Sequence, residues 1–260
     1  MISTTKKTLI VGNWKMNLNV HESSLLVHRL NAFIKTHRSI EVVLAPSFTA
    51  LQPISLEIDH RKFKLAAQNA HYQDSGAFTG EVSFTQLHDL VSYCIIGHSE
   101  RRMHMHETLE VVRDKVKASV RNDIKPILCV GETKQERLDG QTKVVVHDQL
   151  TTALSNLTSE EIEHVVIAYE PVWAIGTGVA AKPSEIEEVF VWIRQIIHEL
   201  YGRTTAENQR VIYGASVEPE FVHGLLSVPG VDGFLVGGAS LNYRKFADIV
   251  DKTYLFKHEV

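Results

Sequence analysis

The chain has 260 residues, 44% hydrophobic and 22% charged, with a formal net charge of −4. That composition supplies enough apolar sequence for a sizeable core, and it excludes a polybasic surface for nucleic acid or for anionic lipid. Its two cysteines, Cys94 and Cys129, sit inside apolar runs, which fits a reducing cytoplasm better than a disulfide scaffold.

In chain order, Met1 to Lys7 is polar and lacks the apolar core of a signal peptide. The longest apolar runs are about six residues, far short of a membrane span. The first of them, Thr8–Gly12, is followed by Asn13 and Lys15 in Gly-Asn-Trp-Lys-Met-Asn. A stripe of helical period, Leu26, Leu30, Phe33 and Ile34, comes next, then the runs Glu41–Ala45 and Lys64–Ala67. The stretch from Gln68 to Glu81 reads as a long surface loop. A fourth run, Ser92–Gly97, ends on His98 in Ile-Ile-Gly-His-Ser-Glu-Arg-Arg, and Leu109, Val112, Val116 and Val120 form a second stripe. After the runs Lys125–Val130 and His164–Tyr169 comes Glu170, the carboxylate read as standing at a strand end beside an apolar, glycine-containing segment.

Pro171 to Gly178 reads as a lid: a stiff apolar start, an apolar tip at Ala174 and Ile175, and backbone freedom in Gly-Thr-Gly. Ser184 with Glu187 forms an expected capping box for a third stripe, Ile186, Val189, Phe190, Ile193, Ile197 and Leu200. The last runs, Arg210–Tyr213 and Gly233–Val236, lead into Gly214-Ala215-Ser216 and Gly237-Gly238.

Most runs are near-continuous Val, Ile, Leu and Ala, the pattern of strands covered on both faces. Eight such runs alternating with helices predict a single-domain (β/α)₈ barrel over residues 1–260, with a parallel eight-stranded core and an outer ring of helices. An open doubly wound sheet is the alternative, but no G-x-G-x-x-G follows the first run.

In such a barrel the active site forms where the strands end. Removing a proton beside a carbonyl needs a base, donors aimed at the oxygen, and exclusion of water. Glu170 is the expected base, strengthened by burial. His98 and Asn13 are expected donors and Lys15 a cation. Backbone N–H groups near Gly176, Ser216, Gly237 and Gly238 suit a phosphate.

Asn-Trp-Lys-Met-Asn, Gly-His-Ser-Glu-Arg-Arg, Ala-Tyr-Glu-Pro-Val-Trp-Ala-Ile-Gly-Thr-Gly and Val-Gly-Gly-Ala-Ser-Leu stand in this order. Together they resemble the signatures of the triosephosphate isomerase family, across nearly the whole chain. The resemblance implies a TIM barrel that interconverts dihydroxyacetone phosphate and glyceraldehyde 3-phosphate through an enediolate, in glycolysis and gluconeogenesis, without metal or cofactor. It implies that Glu170 shuttles the proton and that His98 acts as a neutral electrophile, its charged form disfavoured by a helix beginning near Ser99; this is the known assignment for that enzyme. Asn13 and Lys15 would bind substrate, Glu100 would hold Lys15, and Gly176, Ser216, Gly237 and Gly238 would bind its phosphate. The loop around Thr79 would enter a second subunit, giving a cytoplasmic homodimer. Two features depart from the family: Ala215 stands where a second glycine is common, and Val179-Ala180-Ala181 where the lid's far hinge is often Lys-Thr-Ala.

Three other readings are weaker. A metal-dependent hydrolase is prompted by His98, His104 and His106, but the last two fall in an expected helix and would point apart. A Schiff-base aldolase would need an uncharged Lys15, which an adjacent Glu100 disfavours. A barrel that only binds phosphate would need neither Glu170 nor His98.

Overall fold

The computed structural model describes residues 6–176 and 181–258. Thr177, Gly178, Val179 and Ala180, which carry part of the expected lid and hinge, lie outside the described residues, as do residues 1–5 and 259–260.

The strands are β1 (Thr8–Asn13), β2 (Ile40–Ala45), β3 (Phe63–Ala67), β4 (Tyr93–Ile96), β5 (Lys125–Val130), β6 (Val166–Tyr169), β7 (Arg210–Tyr213) and β8 (Gly233–Val236). Each pairs in parallel with the next, and β1 pairs with β8, so the sheet closes into a barrel. Every strand lies within two residues of its expected run. The largest offset is the start of β6, where Glu161–His164 winds into a 3₁₀ turn.

The helices are α1 (Val20–Phe33), α2 (Phe48–Glu57), α3 (Phe84–Leu87), α4 (Ser99–His104), α5 (Leu109–Arg121), α6 (Lys134–Leu138), α7 (Thr142–Leu154), α8 (Pro183–Tyr201), α9 (Arg203–Asn208), α10 (Val222–Leu226) and α11 (Tyr243–His258). Asn19 starts α1 by accepting the Glu22 N–H at 3.0 Å, while Glu22 accepts the Asn19 N–H at 2.8 Å. The box that opens α8 lies two residues before the expected Ser184–Glu187 pair: the Lys182 N–H donates to Glu185 Oε2 at 2.9 Å. Pro183 is the reason, because its fixed φ and missing donor suit the first helical position rather than one outside the helix. Of the expected stripes, Leu26, Leu30, Ile34, Val112, Val116, Ile186, Val189, Phe190, Ile193 and Ile197 are buried. Phe33 and Leu200, at the helix ends, are half-exposed. Among the described residues no helix is long and apolar enough to cross a membrane.

Strand residues divide by parity into two apolar shells. Ile10, Leu44, Cys94, Ile96, Leu128, Val130, Tyr169 and Phe234 pack outward against the helices. Leu9, Val11, Val43, Ala45, Ala66, Tyr93, Ile95, Ile127, Cys129, Val166, Ala168, Ile212 and Leu235 form a separate cluster inside the barrel. Successive strand residues point to opposite faces, so the strands must be apolar on both. The interior is closed at the N-terminal end by Arg210, which donates to Glu41 at 3.2 Å and to the Tyr93 hydroxyl at 3.3 Å. The C-terminal end stays open.

Candidate active site

The same parity fixes what faces the open end. Continuing the inward rows by two residues reaches Asn13 after Val11, Gln68 after Ala66, Gly131 after Cys129, Glu170 after Ala168, Gly214 after Ile212 and Gly237 after Leu235. Small and polar residues therefore replace branched ones at the rim. Glu132 also follows a strand and carries a carboxylate, but polar Thr133, Lys134 and Gln135 come after it rather than an apolar, glycine-containing segment. Glu132 also has the opposite parity. Its carboxylate accepts from the Tyr169 hydroxyl at 3.1 Å and from Trp173 Nε1 at 2.8 Å, outside the mouth.

His98 is off the inward row and is turned back to it by Gly97, whose φ of +69° is left-handed. It caps α4, its Nδ1 accepting the Glu100 N–H at 3.3 Å. With Nδ1 an acceptor, a neutral ring carries its proton on Nε2, and Nε2 lies 3.1 Å from Glu170 Oε1. The second oxygen of Glu170 accepts the Ser99 N–H at 3.1 Å. Burial favours the neutral ring, but the carboxylate beside it outweighs burial and raises the His98 pKa in this arrangement. Burial likewise favours protonated Glu170, yet His98, the Ser99 N–H and the charge of Lys15 prevail and hold its carboxyl below the ordinary value. Glu170, only 2% exposed, thus waits as an ionised group, where burial alone would have raised its pKa.

Lys15 has a left-handed backbone, φ +52°, which a residue with a Cβ adopts at a cost of about 1 kcal/mol. Asn13 Oδ1 accepts the Lys15 N–H at 3.1 Å, and Gln68 Nε2 donates to Lys15 O at 2.9 Å and to Ala45 O at 2.8 Å. The side chain of Lys15 donates to Glu100 Oε1 at 2.5 Å. Its ammonium also lies beside Gly237, where an added Cβ would stand 3.9 Å from Nζ.

Asn13, Lys15, His98 and Glu170 line one cavity of about 270 Å³ with Gly176, Ser216, Gly237 and Gly238. Glu100 stands behind, bonded to Lys15. All nine residues singled out from the sequence therefore come together around one strand-end cavity. Gly214 leaves it room, since a Cβ there would sit 3.1 Å from Glu170 Cγ. On either side of the undescribed segment, the Ser216 hydroxyl donates to Ala174 O at 2.9 Å and the Ala181 N–H to the Tyr213 hydroxyl at 3.1 Å.

Sequence reasoning missed Gln68 as a prop for Lys15, although the inward row Ala66, Gln68 marks it. It also missed the Glu132 cluster. His104 closes α4, while His106 lies beyond it at φ +52°. Both are exposed, and among the described residues no three metal-binding side chains gather. Ala215 is not among the described residues with positive φ, so alanine meets no strain there. Replacing Ala215 with Gly should leave turnover nearly unchanged and lower Tm slightly, through added freedom of the unfolded chain; steady-state kinetics and thermal melting check both.

The triosephosphate isomerase family model matches residues 8–253. Triosephosphate isomerase of Carboxydothermus hydrogenoformans is 44% identical over 246 residues, covering 94% of this chain and 98% of that protein. Those of Pelobacter propionicus and Clostridium acetobutylicum are also 44% identical, each over 94% of this chain, covering 97% and 98% of their own. The match runs from β1 into α11 and takes in every strand end that lines the cavity, and on that ground the chain belongs to the triosephosphate isomerase family.

Proposed function

We propose that this chain interconverts dihydroxyacetone phosphate and glyceraldehyde 3-phosphate, an aldose–ketose isomerisation of glycolysis and gluconeogenesis, and that the residues converging on the strand-end cavity carry it. The observation that supports this most is the contact of a buried, ionised Glu170 with His98 Nε2 inside a cavity whose walls include Lys15 and the glycine-bearing backbone of Gly176, Gly214, Gly237 and Gly238.

In this reading substrate enters with its phosphate against the N–H groups of Gly176, Ser216, Gly237 and Gly238, whose small residues allow close approach. Glu170 leaves His98 and Ser99 and takes a proton from the carbon beside the carbonyl. His98 then donates through Nε2 to the carbonyl oxygen. Without the carboxylate, burial and the Glu100 N–H on Nδ1 both favour the neutral ring, so it acts as a hydrogen-bond donor rather than as imidazolium. Lys15 and Asn13 face the developing negative charge. Glu170 returns the proton to the neighbouring carbon while the hydroxyl proton passes from one substrate oxygen to the other beside His98 Nε2, so the substrate neither gains nor loses a proton or an electron overall. Ile175 and Gly176, after Pro171, stand on the cavity wall and shield it from water, which hinders loss of phosphate from the enediolate.

The test is conversion of glyceraldehyde 3-phosphate coupled to an NADH-consuming reduction, with Glu170→Gln as the blank. Activity no greater than the blank would overturn the reading.

The same proposal includes a homodimer. The loop from His71 to Ser83 is bridged at its base, where the His71 N–H donates to Val82 O at 2.8 Å, while Gln73 to Glu81, Thr79 included, is exposed. Phe78 is 43% exposed on it, and Met16, next to Lys15, is 97% exposed. Apolar side chains so placed favour burial in a partner that would meet Asn13 and Lys15 from behind. Sedimentation should give twice the chain mass, and a fully active monomer would sink this part. A cytoplasmic setting is supported by the two buried free thiols, whose pKa burial raises.

A further inference from the structure

The Gly-His-Ser-Glu-Arg-Arg segment carries two arginines with different surroundings. Arg101 pairs with Glu107 at 2.5 Å. Arg102 has no carboxylate within ion-pair distance among the described residues and spends its donors on backbone: Nε to Gly97 O at 2.7 Å and Nη2 to Cys129 O at 3.1 Å. One planar guanidinium thus bridges the rim ends of β4 and β5. Both carbonyls matter to the site. Gly97 is the left-handed residue that aims His98 at the mouth, and a Cβ there would stand 2.7 Å from Arg102 Nη2. Cys129 is the inward residue paired with Ala168, one inward step below Glu170.

Arg102 also lines a second cavity, of about 230 Å³, that reaches Glu170 from behind, with Ser99, Thr133 and Gln149 on its walls. The Ser99 hydroxyl there is buried without a hydrogen-bond partner. A half-buried cation with no paired carboxylate is costly to keep, and two neutral donors would serve as well if the carbonyls only needed satisfying. Burial lowers the Arg102 pKa, while Cys129 and Glu170 act on it in the opposite sense.

We infer that Arg102 is a positioning residue for proton transfer, its fork fixing the Gly97 peptide that orients His98 and the strand edge beneath Glu170. The inference rests on the isomerase reading of the site. Arg102 does not reach the cavity where substrate binds, so its effect falls on alignment of base and electrophile and spares the phosphate subsite. Misalignment of this kind costs on the order of 10²-fold in turnover.

Arg102→Met and Arg102→Lys separate this role from simple stability. Lysine keeps the charge but cannot bridge two carbonyls with fixed geometry. Both variants should lose kcat per folded molecule, methionine more, while KM and competitive inhibition by inorganic phosphate stay as in the unaltered protein. If the methionine variant fails to fold, the lysine variant carries the test alone. Wild-type kcat per folded molecule in the lysine variant would overturn the inference. So would kcat and phosphate affinity falling in the same proportion, the mark of a general collapse. Isomerisation by the unaltered protein in the same assay separates the two readings: if it is absent both fall, and if it is present with a variant matching it only the role of Arg102 falls.

Discussion

Glu170→Gln should lose about 10²- to 10⁴-fold in kcat, the range typical for removal of a general base, with KM little changed and the melting temperature lowered only by the loss of one buried hydrogen bond. The amide keeps the volume of the carboxyl but only one acceptor oxygen, whereas Glu170 accepts the Ser99 N–H through Oε2 and faces His98 Nε2 through Oε1, so one of these two contacts is lost. Breaking a buried ion pair ordinarily leaves an unpaired charge and destabilises strongly. Here no charge need be left behind, because Nδ1 accepts the Glu100 N–H and a ring protonated on Nε2 alone is neutral. Stability and activity are therefore expected to separate, which thermal melting beside a steady-state assay would show. A loss of only a few-fold would mean that another group takes the proton. Glu132 is the nearest candidate by type, but its oxygens are engaged by Tyr169 and Trp173 away from the cavity.

The barrel was legible because its strands are apolar on both faces and end where the chemistry begins. A run such as Thr8–Gly12 does not by itself reveal which residues face inward, but parity can: Ala168 inward implies Glu170 inward, and Val130 outward implies Glu132 outward. Counting by twos would have ranked the two carboxylates from sequence alone. Parity fails at His98, which the left-handed Gly97 turns back to the mouth, and it gives no sign of the left-handed turn at Lys15 itself. Glycine flags the first turn; nothing in the identity of lysine flags the second. Gln68 and Arg102 act through carbonyls of residues 23 to 53 and 5 to 27 positions away, and such partners are set by closure of the barrel rather than by local pattern. The helix stripes hold except at Phe33 and Leu200, which lie near the C-terminal ends of α1 and α8 and are half-exposed, although Ile34 beside Phe33 is buried.

The strain at Lys15 gives the second large effect and a way to isolate it. Lys15→Met removes the ammonium that faces Glu100 and Gly237. It should lower kcat/KM by about 10²- to 10³-fold, as loss of one well-placed group for a developing oxyanion does, and also weaken phosphate binding. Lys15→Gly removes the same charge and in addition releases the left-handed φ of +52°, which glycine adopts without penalty. Its activity should fall as far as that of the methionine variant, while its melting temperature should match or exceed the methionine variant's. The Gln68 bond to Lys15 O and the Asn13 bond to its N–H use backbone atoms present in both, so the turn itself survives. Equal melting temperatures would still fit, because extra freedom of the glycine-containing unfolded chain offsets part of the relief. A glycine variant markedly less stable than the methionine variant would contradict the assignment of strain, and show that the lysine stem rather than its backbone sets the local conformation. A strained cation held by Asn13 and Gln68, against what its own backbone prefers, is the pattern expected where a site is stabilised for catalysis at some expense to the fold.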